Sequence, residues 1–153
     1  MLITTTVIRS VSAMANPNRR KAKLKRHFRR VAPDISSVMQ EKYRKLNHKY
    51  LTDAENLLLK EDYVQASEKF WGAFAEVVKG IAAQRGLLTR SHLGIGEIVD
   101  LLQKEFRNVN LTEAYFAANS LHSNFYEEEL TPEQVKKAAS IVKDAINVLG
   151  SAT

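Results

Sequence analysis

One histidine in the sequence has neighbours with which it could carry out acid–base chemistry. His122 lies in a segment of helical periodicity, with Asn119 three residues before it and Tyr126 four residues after it. This spacing places the three side chains about one turn apart on one face of a helix. His122 could there act as a general acid or base, or contact a phosphate, with Asn119 and Tyr126 as hydrogen-bonding neighbours. The alternative is a half-buried structural histidine whose ring nitrogens are satisfied by those same neighbours.

A second group of polar residues lies where two predicted helices join. His92 follows a loop that contains Arg85 and Arg90, and it comes at the start of the next helix. Because the first N–H groups of a helix favour anions, these three residues are candidates for binding an anionic ligand. The alternative is that they are solvated polar residues at a helix end. The distance in sequence between His92 and His122 gives no basis for a metal site, and no metal is predicted.

A dense basic run precedes the helical part of the chain. Residues 1–33 contain nine Lys or Arg and no acid, and eight of these nine lie in residues 19–30. Like charges at this density repel one another, so we expect a flexible arm. Such an arm would bind a phosphate backbone with strong salt dependence and little sequence preference, or would be a solvated tail with incidental affinity for polyanions. The candidate nucleic-acid-binding residues are Arg19, Arg20, Lys21, Lys23, Lys25, Arg26, Arg29 and Arg30.

The sequence lacks the residues that several classes of catalytic and cofactor site require. The chain has no cysteine, which removes disulfides, thiolate metal sites and cysteine nucleophiles. No Ser/His/Asp pattern, zinc-protease motif or phosphate-binding glycine loop occurs. Gly94 and Gly96 are not a dinucleotide fingerprint, because no strand is predicted before them and the third glycine is missing; they could instead allow a neighbour to approach closely. We therefore expect no cofactor, and, without a long apolar run, no membrane association and a cytoplasmic protein.

Apolar residues spaced three or four positions apart predict the elements that must position these side chains. The segment 62–84 is the most apolar of the long helical segments, with Phe70, Trp71 and Phe74 on a wide stripe around which other helices would pack. The predicted helices cover residues 34–60, 62–84, 92–106, 111–127 and 132–150.

Side chains at the predicted helix starts define the boundaries. Asp34, Asp62, Ser91 and Thr131 are expected N-caps. At the last helix, Pro132 takes the first helical position and Gln134 completes a capping box with Thr131. Only about two residues separate the first two helices, so they must form an antiparallel hairpin. The predicted fold class is all-α, an antiparallel bundle of four to five helices in residues 34–150, preceded by the basic arm in residues 1–33.

Four stretches of sequence carry a resemblance to a known family. They are A-E-N-L-L-L-K-E-D-Y-V-Q-A-S-E-K-F in the hairpin, E-V-V-K, S-H-L-G-I-G-E-I-V-D-L-L, and N-F-Y-E-E-E-L-T-P-E-Q-V before the last helix. Through these, residues 39–149 resemble the HEPN fold and, within it, the archaeal paREP-type family of uncharacterised proteins.

The resemblance implies a helical bundle that commonly dimerises, and many HEPN relatives are RNA-cleaving toxins. The implied partners are a second copy of the chain, an RNA or nucleotide, and an antitoxin-like protein. The nucleases of the family use an arginine shortly before a histidine, near the start of the fourth core helix. His122 lies in the corresponding helix, but no arginine stands upstream of it at that spacing; Asn119 occupies the neighbourhood, and Arg107 is too distant. Arg85 and His92 have a similar spacing but lie in another loop.

Together these observations favour a non-enzymatic, dimeric HEPN-like module with a degenerate nuclease motif, which binds a nucleotide, an RNA or a protein partner. One alternative is a metal-independent ribonuclease that uses His122. Another is a purely structural helical interaction protein. A polar cleft that holds His92 and His122 would favour the first two functions, whereas a fully buried His122 with a satisfied ring would favour the third.

Overall fold

The computed structural model describes residues 27–152, and in this range the chain is a bundle of five helices. The six basic candidates from Arg19 to Arg26 lie outside the described residues. The predicted all-α antiparallel bundle is confirmed, with the addition of two strands of three residues each. In chain order the elements are β1 (Phe28–Arg30), α1 (Pro33–Leu59), α2 (Tyr63–Gln84), β2 (Leu87–Thr89), α3 (His92–Gln103), α4 (Leu111–Glu127) and α5 (Pro132–Gly150).

Helix α2 is the centre of the bundle, as its wide apolar stripe predicts. It pairs with α1 in the expected hairpin and also packs against α3, α4 and α5. Phe70, Phe74 and Ile81 of α2 are fully buried in the core cluster to which α3, α4 and α5 also contribute. This helix therefore contributes side chains to the contacts of all four other helices.

The predicted N-caps are present at three helices. The Asp62 carboxylate accepts a hydrogen bond from the backbone N–H of Gln65, and the Ser91 hydroxyl accepts one from Gly94. At α5 the Thr131 and Gln134 side chains make both halves of a capping box. Such caps satisfy backbone donors that have no partner inside the helix.

One buried amide ties α4 to its surroundings. The Asn124 side chain is 1% exposed; its Nδ2 donates to the Ser67 hydroxyl of α2 at 3.1 Å, and its Oδ1 accepts from the Leu130 backbone N–H at 2.7 Å. These bonds fix both the contact between α2 and α4 and the turn before α5.

Asn124→Ala is expected to lower the free energy of unfolding by about 1–2 kcal/mol, because it leaves buried hydrogen-bonding groups without a partner. Chemical denaturation followed by circular dichroism measures the change. Asn119→Ala is the matched control, since the Asn119 amide bonds only to the Tyr115 carbonyl of its own helix. Equal losses in both variants would contradict this role for Asn124.

A short antiparallel ribbon, absent from the sequence prediction, joins the two chain segments on either side of the hairpin. Strand β1 pairs with β2 so that Phe28 lies opposite Thr89 and Arg30 opposite Leu87. The C-terminal end of the segment assigned to the arm thus contacts the bundle. The prediction that no strand precedes Gly94 was wrong, because β2 lies there. Three-residue strands carry too little alternation to be recognised from sequence.

The glycines of α3 permit two close contacts. A Cβ on Gly94 would lie 1.9 Å from the Thr89 hydroxyl oxygen and 2.6 Å from the His27 carbonyl oxygen. A Cβ on Gly96 would lie 2.9 Å from the Tyr115 hydroxyl oxygen. Close approach of a neighbour, one of the two interpretations considered for these glycines, is therefore confirmed.

Candidate functional site

Four rings from three helices are in contact; we call Trp71, His92, His122 and Tyr126 the histidine cluster. The Trp71 and His92 rings are stacked, with centroids 4.6 Å apart and planes 6° from parallel. The His122 ring lies 5.1 Å from Trp71 and 4.9 Å from His92, and the edge of Tyr126 meets it at 5.4 Å. Two histidines that lie 30 positions apart in sequence are therefore neighbours in space.

The His122 ring is oriented by a carboxylate. Its Nδ1 lies 2.8 Å from Oε2 of Glu68. Because an ionised carboxylate only accepts hydrogen bonds, Nδ1 must carry the proton and donate it to Glu68. In the neutral ring, Nε2 is then the basic nitrogen, and it has no hydrogen-bond partner within residues 27–152. This is the arrangement that a general base requires.

The positions of these side chains follow from the helices that carry them. Glu68 and Trp71 are three residues apart on α2 and so share a face. His92 is the first residue of α3, where its backbone carbonyl accepts a hydrogen bond from the Tyr115 hydroxyl at 3.1 Å. The missing side chain at Gly96 leaves room for that tyrosine. Contacts from α4 therefore fix where α3 begins and where His92 lies.

A cleft of about 310 Å³ opens beside the cluster, between α1, α2 and the start of α3. Its aromatic lining comes from Tyr50, Trp71 and His92. The Tyr50 ring can lie against α2 because Gly72 has no side chain, and a Cβ there would be 3.1 Å from that ring. The remaining lining residues are Glu68, Lys69, Gly72, Ala75, Glu76, Lys79, Arg90 and Ile95.

The charges of the cleft are three cations and two carboxylates, and they differ in how they are paired. The Lys79 ammonium lies 3.3 Å from the buried Glu76 carboxylate, and Lys69 lies 3.8 Å from Asp53. Arg90, in contrast, is exposed and has no carboxylate partner in the described part of the chain. A guanidinium without a partner at the mouth of a cleft is suited to a carboxylate or phosphate of a ligand.

Not all residues singled out from the sequence belong to this site. His92, His122, Tyr126 and Arg90 are brought together around the cluster and the cleft. The Asn119 amide instead donates to the Tyr115 carbonyl at 3.0 Å. The Arg85 guanidinium is held by the Glu105 carboxylate, with Nη1 2.7 Å from Oε1. We leave Arg85 and Asn119 out of the candidate site.

Sequence reasoning missed the residues that α2 contributes. Glu68, Lys69 and Lys79 were not singled out, and Trp71 was assigned only to the core. Trp71 is indeed buried, at 6% exposure, but one face of its ring contacts His92. A usable signal was present, since Glu68 and Lys79 are charged residues on a helix whose other side chains are largely apolar and buried.

His92 is held toward its neutral form. Partial desolvation of its ring, which stacks on Trp71 although the residue as a whole is exposed, lowers the pKa of His92; the nearby His122 and Lys79 also lower it, while Glu68 opposes the shift. An unfolded chain takes up this proton at a pH near 6.5, above the folded pKa. Protonation of His92 therefore leaves the free energy of unfolding unchanged above about pH 6.5. As the pH falls from there toward the folded pKa, the free energy of unfolding decreases.

The single tryptophan of the chain reports this titration. Trp71 emission is expected to fall with decreasing pH, because imidazolium quenches a stacked indole more efficiently than neutral imidazole does. The midpoint should lie below about 6.5, the ordinary histidine value. Because His122 also contacts Trp71, the titration is made in His122→Gln protein. In that background His92→Gln should remove the transition, and His48→Gln, an exposed position on α1, should leave it intact. A midpoint at or above 6.5, or a transition that survives His92→Gln, would contradict this stacked geometry.

Neither a metal site nor a membrane span occurs in the part of the chain that the structure describes. Within residues 27–152, no three His, Asp or Glu side chains are grouped so that they could hold a metal ion. None of the helices in this range is both long and apolar enough to cross a membrane.

The fold and site define a five-helix bundle with an aromatic, histidine-containing cleft. Residues 42–146 match the archaeal PaREP1/PaREP8 family, and the chain belongs to this family. The fold is similar to that of a protein from Sulfolobus solfataricus whose crystal structure is known. The two have a TM-score of 0.62 and 23% identity, and the match covers 69% of this chain and 93% of the other. No curated protein matches the chain.

Proposed function

We propose that the cleft binds a nucleotide unit of RNA, or a free nucleotide. The observation that carries this proposal is the position of the histidine cluster beside a cleft with an unpaired arginine. Aromatic faces stack on bases, and Arg90 and Lys69 suit the phosphate. A volume of about 310 Å³ lies at the lower end of the range of roughly 300–1,000 Å³ for ligand pockets.

The role of His122 in this proposal is to contact the ligand. Its side chain is 24% exposed, so it is neither fully buried nor solvated, and its ring is held by Glu68 rather than by Asn119. A half-exposed, oriented histidine supports a binding role over a purely structural one. Dimerisation, as the resemblance to HEPN proteins suggests, is part of the proposal, with exposed Phe116 and Tyr126 of α4 available to a second copy.

A specific observation also favours the ribonuclease as a second candidate. Cleavage of RNA without a metal needs one group to take the proton of the 2′-hydroxyl and another to give a proton to the leaving 5′-oxygen. His92 and His122, with ring centroids 4.9 Å apart, are the candidates for such a pair, in which His92 would have to take up a proton beside the substrate phosphate before it could act as the donor. Glu68 fixes the His122 tautomer that leaves Nε2 free to accept a proton.

Labelled single-stranded RNA, incubated with the wild type and with His122→Ala at low and moderate salt, distinguishes these functions. Binding is followed by anisotropy and cleavage by denaturing gels. We expect binding that is weakened by His122→Ala and unchanged by the matched control His48→Ala. Cleavage that is lost in both His122→Ala and His92→Ala would establish the ribonuclease. Binding that is indifferent to His122 and disappears with salt would contradict a role for the cleft.

A further inference from the structure

One carboxylate in the lining of the cleft has an oxygen without a partner. Glu76 of α2 is 8% exposed, and its Oε1 accepts a hydrogen bond from the Lys79 ammonium at 3.3 Å. Its Oε2 is buried as well, and no donor within residues 27–152 bonds to it. The other carboxylate of the cleft, Glu68, is engaged by the His122 ring. Because a buried acceptor without a partner is unfavourable, Oε2 of Glu76 is a favourable place for a donor of a ligand.

Four residues of one helix form a continuous wall of the cleft; we call Lys69, Gly72, Glu76 and Lys79 the α2 stripe. They are spaced three, four and three positions apart, and all four line the cleft. Residues at this spacing share one face of a helix. With a rise of about 1.5 Å per residue, the stripe spans about 15 Å from Lys69 to Lys79, which is long enough for one nucleotide.

The chemistry of the wall changes along the α2 stripe. At one end Lys69 offers a cation, and its Nζ lies 5.1 Å from the centre of the Tyr50 ring. In the middle, the Tyr50 ring takes the space that the missing side chain of Gly72 leaves. One turn further on, Glu76 and Lys79 offer an acceptor beside a donor. The phosphate, the stacked base and the hydrogen-bonding edge of one nucleotide therefore each meet a suitable group, in this order.

A carboxylate at the edge of a base distinguishes among the four bases. A carboxylate that is paired with an ammonium only accepts hydrogen bonds. Guanine alone presents two adjacent donors on its Watson–Crick edge, the N1–H and the 2-amino group, with the O6 acceptor next to them. Adenine and cytosine place an acceptor at the centre of this edge, and uracil places its one donor between two acceptors. Guanine can therefore donate twice to Glu76, while O6 accepts from Lys79, whose ammonium has three donors.

We propose that the cleft is selective for guanine nucleotides and that Glu76 determines this selectivity. The inference depends on the proposed binding of a nucleotide in the cleft. The base stacks along Tyr50, its N1–H and 2-amino group donate to the Glu76 carboxylate, and Lys69 lies at the phosphate end. The last torsion of a glutamate side chain has a broad energy profile, so a small rotation of the carboxylate turns Oε2 toward these donors.

The wild-type protein tests this selectivity with the monophosphates of guanosine, inosine, adenosine and uridine. Isothermal titration calorimetry measures the affinity of each. We expect the guanine nucleotide to bind about 10-fold more tightly than the adenine and uracil nucleotides, because a good bidentate contact discriminates against a wrong base by about this factor or more. The inosine nucleotide keeps the N1–H and O6 but lacks the 2-amino group, so its affinity should lie between those for guanine and adenine.

Glu76→Gln should remove the preference for guanine. The amide replaces one acceptor oxygen by an NH2 donor, which opposes the donors of guanine and can bond to the N1 acceptor of adenine. We expect the guanine and adenine nucleotides to bind this variant with similar affinity. The matched control is Glu55→Gln, whose carboxylate pairs with Lys143 at 2.9 Å and does not line the cleft, and it should keep the preference. Thermal unfolding verifies that both variants fold.

Short RNAs identify whether the nucleotide is free or part of a strand. Single strands of about 5 adenosines are compared with and without one central guanosine. A preference for guanine in the strands as well as in the mononucleotides identifies RNA as the ligand. A preference confined to the mononucleotides identifies a free guanine nucleotide.

The outcomes distinguish this inference from the function on which it depends. If all four mononucleotides bind the wild type with equal affinity, or if the preference survives Glu76→Gln, Glu76 does not select the base and the cleft proposal stands. If Glu76→Gln weakens all four nucleotides by the same factor, Glu76 only supports the fold of the cleft, and the inference is again wrong. If no mononucleotide binds, both proposals are wrong.

Discussion

Trp71→Ala is expected to lower the free energy of unfolding by about 3–5 kcal/mol, the largest effect of any change considered for this chain. The ring is 94% buried against the core, and its removal leaves a cavity that neighbouring helices fill only in part. The same change takes away the surface on which His92 stacks and against which His122 lies. Chemical denaturation followed by circular dichroism measures stability, and RNA anisotropy should show that binding is abolished.

Two further variants distinguish the loss of core packing, measured as stability, from the loss of the binding surface, measured as affinity. Trp71→Phe should recover most of the stability and part of the binding, since a smaller ring still offers a face to His92. His92→Ala should change stability by less than about 1 kcal/mol, because His92 is exposed, yet weaken binding. A loss below about 1 kcal/mol for Trp71→Ala would show that Trp71 does not hold α2 against α3 and α4.

Gly94→Ala is expected to release β1 from the bundle and to lower the free energy of unfolding by about 2–3 kcal/mol. The new methyl group would lie 1.9 Å from the Thr89 hydroxyl oxygen and 2.6 Å from the His27 carbonyl oxygen, so the strands must move apart. This strain and the reduced packing of Phe28 outweigh the gain of about 1 kcal/mol from alanine in a helix. Amide hydrogen exchange should show faster exchange at Val31, whose N–H bonds to Gly86.

The matched control is Gly80→Ala, a glycine within α2 where a methyl group would lie 3.6 Å from the Tyr43 Cβ, an ordinary contact. This variant should be neutral or stabilising, with Val31 still protected. Gly94→Ala protein that keeps both its stability and the protection of Val31 would show that the ribbon is not held against α3.

The helices were predictable from the sequence because their signals are local. Apolar residues of α2 recur at helical spacing, and the caps at Asp62, Ser91 and Thr131 lie within three residues of the groups that they satisfy. Some helix ends differ from the prediction. Helix α1 begins at Pro33, so the predicted cap Asp34 lies in its first turn and Ala32 precedes it without a side-chain cap, and α3 ends at Gln103 rather than at residue 106. The strands were missed because their pairing joins residues about 60 positions apart, and three residues leave no periodic signal.

The candidate site was predictable only in part, for the same reason. His122 and Tyr126 stand on one face of α4, and local spacing was enough to associate them. The spacing also suggested Asn119, but its amide bonds within its own helix, which periodicity does not reveal. The partners of His122 that matter are Glu68 and His92, which come from other helices and are separated from it by 54 and 30 positions. Only the packing of α2, α3 and α4 brings them together.

The most direct test of the cleft proposal is a titration of the protein with mononucleotides, followed by Trp71 emission. Trp71 lines the cleft and is the single tryptophan, so a nucleotide that enters should change its emission in a saturable way. We expect such a curve for the wild type and for His48→Ala, and affinity weakened by about 10-fold, or 1.4 kcal/mol, in His122→Ala. Emission that stays flat for all mononucleotides, or curves that coincide for the wild type and His122→Ala, would contradict binding in the cleft.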